Sequence, residues 1–235
     1  MTAVAQAFRP ARTAIGLRIK SGYAIAVVLA GPATSPAVIS RRIVELSDPG
    51  IAETKQPYHD GFGTENEDPR EVARRITIIE RCAQQSVSAL VDDVRRATTG
   101  TRSAPPSPRS GFGELRRGSR KESASGGGKA LAERSLRAAL VVGSVIDPQK
   151  VGNPHIRAHA NEGKLFRTVV ENALRAHGIA CDVIVEKALA EKAAAGLRRP
   201  ASEIKRTLAA LGKTVGGPWR AEEKAAATAA WLALR

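Results

Sequence analysis

His155, His159 and Glu162 fall at positions i, i+4 and i+7 of a stretch with helical periodicity, which sets two imidazoles and a carboxylate on one helix face. That residue set at that spacing can ligate a transition metal. No further ligand stands at a fixed offset, so a polar helix face with two ordinary histidines is the simpler reading. A second use is open to the same region. His155, Arg157 and the N-terminus of the helix that Asn153-Pro154 would open could together hold a phosphate. Tyr58, His59 and Asp60 lie in a loop, where binding residues often sit, but Asp60-Gly61 reads more simply as a turn. Lys20-Ser21-Gly22 also reads as a turn, because the glycine spacing of a phosphate-cradling loop is missing. Trp219 and Trp231 read as core residues, and there is no aromatic platform for stacking RNA bases.

The chain has 235 residues, room for one domain of ordinary size with tails. Aromatic residues make up only 3%, so the core must be aliphatic and alanine-rich. Cys82 and Cys181 are too few and too far apart for a disulfide framework or a zinc knuckle, and two thiols suit a reducing, cytoplasmic setting. Neither a secretory leader nor a bilayer-length apolar run is legible. The net charge is +14. A surplus of that size attracts polyanions and points to DNA or RNA as a partner. An arginine-, alanine-, glycine- and proline-rich mixture also follows from a GC-rich coding sequence, with no ligand involved.

These residues must be carried by elements. Residues 1–12 read as a flexible tail. Thr13 to Leu29 forms two apolar runs around Ser21-Gly22, the pattern of a β-hairpin, and Ala37 to Leu46 forms a third strand. Ser47 to Pro69 reads as loop. Asp68-Pro69 caps a long helix whose stripe runs Val72, Ile76, Ile79, Ala83, Val87, Leu90 and Val94. Residues 100–129 hold almost no core formers and are expected to be a disordered basic insertion. That segment holds seven basic residues against two acidic, so the rest of the chain still carries +9. Ala138 to Val145 reads as a buried parallel strand. The helix after Asn153 should end at Gly178, and Cys181 to Val185 is another short strand. Lys187 to Gly196, Ala201 to Leu211 and Ala221 to Leu234 read as helices. The domain would thus comprise residues 13–99 and 130–235.

Ile15-Gly16-Leu17 with Gly22-Tyr23-Ala24, then Val141-Val142-Gly143, then Glu223 leading into Ala225-Ala226-Ala227 and Ala230-Trp231-Leu232, resemble in that order the ribonuclease H-like superfamily. Within it they resemble the RuvC-type Holliday junction resolvases and the pre-16S ribosomal RNA nucleases. The resemblance implies an α/β fold: a mixed five-stranded sheet, made of a three-strand meander plus crossovers, with helices on both faces. It also implies carboxylates at strand ends that hold two divalent metals for phosphodiester cleavage. On this sequence those would be Asp147, Glu186 and Glu223, binding Mg²⁺ or Mn²⁺, with Arg18, Lys20, His155, Arg157 and Lys224 on phosphates. The pattern departs at the first strand, where Arg18 stands in the acid's place. The expectation is a nucleic-acid-associated protein with degenerate catalytic acids, active or inactive. The alternatives are a noncatalytic scaffold and a sugar-kinase or actin-like nucleotide binder, which shares the strand order but uses two such domains.

Overall fold

The computed structural model describes residues 12–60, 64–99 and 136–235. The tail through residue 11 and the 100–129 insertion lie outside the described residues, so the readings made of them stay expectations.

Strands β1 (Thr13–Lys20) and β2 (Tyr23–Ala30) are apolar on both faces, and nearly every residue in them is buried. Strands of that kind need cover above and below, so they sit inside the sheet. They pair antiparallel around Ser21-Gly22, with Lys20 opposite Tyr23. Gly22 has φ +82°, and a Cβ there would meet Ser47 Oγ at 2.9 Å. Strand β3 (Ala37–Glu45) pairs antiparallel with β2 and is only partly buried, as an edge strand should be.

The chain then makes a short two-strand ladder, β4 (His59–Asp60) with β5 (Thr64–Glu65), inside what sequence reads as loop. Helix α1 (Pro69–Thr99) follows, capped by Asp68, whose Oδ1 accepts from Arg70 N at 2.9 Å. Its stripe is deeply buried only from Ile79 onward; Val72 and Ile76 are half-buried. Strand β6 (Leu136–Val142) lies parallel to β1, and β7 (Cys181–Val185) parallel to β6. Strand β6 stops at Val142, three residues short of the expected end. Gly143, Ser144 and Val145 are exposed, leaving Val145 and Ile146 on the surface. Between β6 and β7 runs helix α2 (Pro154–Ala176), capped by Asn153, whose Oδ1 accepts from Ile156 N at 3.0 Å. Helices α3 (Glu186–Leu197), α4 (Ala201–Lys213) and α5 (Ala221–Ala233) complete the described chain.

The sheet order is β3-β2-β1-β6-β7. A three-strand antiparallel meander is extended by two parallel strands, and this is the ribonuclease H-like sheet. One face packs Ile15, Leu17 and Ile19 of β1 with α1 and α2. The other packs Ala14, Val27, Ala139 and Val141 with α3, α4 and α5. Helix α5 lies directly on β1. A Cβ at Gly16 would come within 1.9 Å of Ala226 O and 2.6 Å of Ala230 N. Small residues on both elements permit that approach, which accounts for the alanine content of α5. At its far end Trp231 is fully buried and donates from Nε1 to Ala33 O at 2.7 Å.

Candidate functional site

The contact of α5 with β1 sets the N-terminus of α5 beside the C-terminal end of β1. Two side-chain groups meet on that side of the sheet. Arg18, buried, donates from Nη1 to Ile19 O at 2.9 Å and Val141 O at 3.4 Å, and from Nη2 to Glu186 Oε2 at 2.6 Å. Glu223, also buried, accepts from Arg41 Nη2 at 2.9 Å and Nε at 3.3 Å. Its second oxygen accepts from Arg220 N at 2.8 Å, satisfying the backbone N–H of the residue that starts α5. Burial pushes the Glu223 carboxyl upward. The hydrogen bonds from Arg41 and from the Arg220 backbone N–H overcome that and hold it below the ordinary carboxylate value. Lys20 Nζ lies 3.8 Å from Glu222 Oε1.

Two of the three expected metal ligands are thus brought to the same end of the sheet, each joined to an arginine. Asp147 is exposed in the loop after β6, and its Oδ1 accepts from Gln149 N at 3.2 Å as the cap of a short turn. Asp147, Glu186 and Glu223 do not assemble as a ligand set. Among the described residues the one group of three or more metal-ligating side chains with converging atoms lies elsewhere. A cation at position 18 also repels Mg²⁺ or Mn²⁺ where the first carboxylate would attract it. The two-metal arrangement does not fit these residues. Lys224 is exposed on α5.

On the opposite face, α2 and the β4 strand build the second constellation. His155 and His159 occupy the first two turns of α2, one turn apart, so their rings meet edge to face with centroids 4.6 Å apart. His59 enters from β4, with ring centroids 4.5 Å from His159 and 5.2 Å from His155. One nitrogen from each of the three lies within 4.8 Å of the other two. Beneath them is Glu162, only 1% exposed. Its Oε1 is 2.7 Å from His59 Nδ1. Its Oε2 is buried and has no hydrogen-bond partner among the described residues; His159 Nδ1 lies 3.4 Å away without the geometry of a hydrogen bond. Tyr58, half-buried, has its phenol pushed up by burial and then by the charge of Glu162.

The strand that carries His59 is held from behind. Buried Arg75 donates from Nη1 to His59 O at 2.8 Å and from Nε to Glu71 Oε1 at 2.9 Å. Hydrogen bonds from Arg74 and then Arg75 pull the Glu71 carboxyl down to about 2. Arg157 donates to both oxygens of Glu65 on β5, at 2.6 and 3.2 Å. Its guanidinium is therefore engaged in the scaffold that supports β4. Sequence reading favoured a turn at Tyr58-His59-Asp60 while keeping Tyr58 and His59 as candidates, and did not place His59 beside Glu162. The missing signal is tertiary, because His59 and Glu162 are 103 residues apart.

A cavity of about 270 Å³ links the two constellations. It opens at the C-terminal ends of β1 and β6, with Arg18, Lys20 and Ser144 on one side and His159 and Glu162 on the other. The chain leaves these adjacent parallel strands in opposite directions along the sheet, the position where open α/β sheets place their ligands.

No family model matches the chain, and no curated protein matches it. RuvC of Thermus thermophilus aligns with 94% of this chain and 92% of its own length, at 9% identity and a TM-score of 0.46. T. thermophilus RuvC in complex with a Holliday junction substrate aligns over the same shares at 9% identity and a TM-score of 0.47. A Ppx/GppA family protein from Aquifex aeolicus aligns with 78% of this chain and 38% of its own, at 13% identity and a TM-score of 0.32. These likenesses carry no argument by themselves; the strand order described above is the one that the ribonuclease H-like resemblance implies. No helix among the described residues is long and apolar enough to cross a membrane.

Proposed function

We propose that this chain binds nucleic acid at the C-terminal ends of β1 and β6 and does not cleave it by a carboxylate-held pair of metals. The observation that carries the reading is Arg18. A buried guanidinium stands at the strand position where the resemblance calls for an acid, and it lines the cavity beside half-exposed Lys20. Cations at a strand-end crevice suit phosphate oxygens, and the surplus of +14 adds long-range attraction to a polyanion. Two of the three acids that would hold metals, Glu186 and Glu223, are neutralised locally by Arg18 and Arg41.

The test is binding of branched, duplex and single-stranded DNA and RNA over a salt series, with and without Mg²⁺ or Mn²⁺. The expected result is salt-sensitive binding without cleavage, with Lys20→Ala reducing the slope of log affinity against log salt by about one. Cleavage lost in Glu186→Gln or Glu223→Gln would establish an active nuclease. Neither binding nor cleavage would support the scaffold alternative.

A further inference from the structure

We propose that His59, His155 and His159 form a binding site for a first-row transition-metal ion, with Zn²⁺ the best fit, and that Glu162 positions the site. This site is separate from the strand-end carboxylates and stands whether or not the chain binds nucleic acid.

Four features converge on it. The first is ligand identity: three imidazoles suit Zn²⁺, Cu²⁺ or Ni²⁺ and do not suit Mg²⁺, which selects oxygen. The second is the tautomer of His59. Glu162 Oε1, 2.7 Å from His59 Nδ1, accepts the proton held there. The Nε2 lone pair is then turned toward the other rings. A carboxylate behind a histidine is the usual outer support of a metal-ligating imidazole. The third is spacing. His59 Nε2 and His155 Nδ1 are 3.3 Å apart. Two nitrogens bound at the usual Zn–N distance around a tetrahedral ion are separated by about 3.3–3.4 Å. The fourth is charge. Glu162 is 1% exposed, has no Lys or Arg ion-pair partner among the described residues, and keeps one buried oxygen unpaired. A buried carboxylate left in that state is unfavourable, and a dication against its histidines would compensate it.

The supporting shell is rigid where the ligands need it to be. Arg75 and the Arg157–Glu65 pair fix the β4–β5 ladder, and α2 fixes the other two histidines. His155 and His159 are exposed. A fourth coordination position therefore faces solvent and the neighbouring cavity, open to water or to an anionic oxygen. Three protein ligands with one open position is the pattern of zinc sites that act on a ligand, as opposed to closed structural sites.

The experiment is titration of the untagged full chain with Zn²⁺ after chelator treatment, followed by Co²⁺ substitution read by visible absorption. One ion per chain, bound at micromolar affinity or tighter, is expected, with the Co²⁺ spectrum of a four-coordinate nitrogen site and no thiolate charge-transfer band. Replacing exposed His155 and His159 together with Ala should weaken binding by more than about 100-fold while leaving the circular dichroism spectrum unchanged. Glu162→Gln should weaken it by about 10- to 100-fold. Wild-type protein that takes up no ion at 100 µM Zn²⁺ overturns the proposal. So does a double variant that binds as tightly as wild type, or a thiolate band that moves the ion to Cys82 or Cys181.

Discussion

The two faces of the sheet treat their carboxylates in opposite ways. On the α5 face, Glu186 and Glu223 each meet an arginine, and their charge is spent in holding β1, β3, α3 and α5 together. On the α2 face, Glu162 meets only histidines and keeps an unpaired oxygen. The counting of acids cannot distinguish these cases, since both faces own buried glutamates near the same strand ends. What separates them is the partner. Arginine beside a carboxylate stays charged at every accessible pH and occupies it permanently. Histidine can exchange its proton for a metal, so a carboxylate behind it stays available for chemistry.

This contrast can be broken most severely at the frame beneath it. Gly16→Ala drives a Cβ into the α5 backbone at Ala226 and should destabilise the protein by about 3 kcal/mol in urea unfolding. The arginine-locked end should come apart first, seen as faster amide exchange in α5 than in α2. Next is the lock itself. Arg41→Ala leaves the 3%-exposed Glu223 without its cation and should cost about 2–3 kcal/mol, discounted from a fully buried pair because Arg41 is partly solvated. Arg18→Ala should cost less, about 1–2 kcal/mol, because Glu186 is half-exposed and water replaces the guanidinium there. At the low end, replacing His155 and His159 with Ala should change stability by no more than about 0.5 kcal/mol in the metal-free protein, as expected of exposed side chains. A loss near 3 kcal/mol would mean that the histidines are structural, and the contrast between the faces would collapse.

Acid sharpens the same comparison. Glu223 is held below the ordinary carboxylate value when folded, while in the unfolded chain it titrates near about 4.3. The unfolded state therefore binds more protons in the acid range, and this contribution, complete above the unfolded value, is lost as pH falls toward the folded one. Glu223→Gln should flatten the acid limb of a stability–pH curve, and an unchanged limb would show that the Arg41 pair is not what acid attacks.

Much of the frame was legible before any coordinates. Asp68 and Asn153 announce their helices, because a capping side chain acts on the backbone within three residues. Doubly apolar β1, β2 and β6 announce strands covered on both sides. The end of β6 was misjudged, because Val145 and Ile146 resume the apolar composition after Gly143-Ser144, where the backbone has already left the sheet. The site was half legible. Helical spacing pairs His155 with His159, but Arg18 finds Glu186 across 168 residues and Arg41 finds Glu223 across 182. Such partners follow from strand order, which no local periodicity encodes. His59 stood among the candidates, but its partners were hidden for the same reason, inside a segment whose aspartate and glycine advertise a turn.

The near-contact of Gly16 with the backbone of α5 bears on how other chains of this architecture can be recognised. Arg18 takes its place on β1, and the histidines theirs on β4 and α2, without disturbing that contact. A side chain at the middle of the first strand cannot be accommodated against the backbone of Ala226 and Ala230. The mark of this frame is thus an absence of volume. A missing Cβ early in the chain, matched by two methyls a helical turn apart in α5, is what the packing of that helix on β1 demands, whatever side chains the strand ends carry.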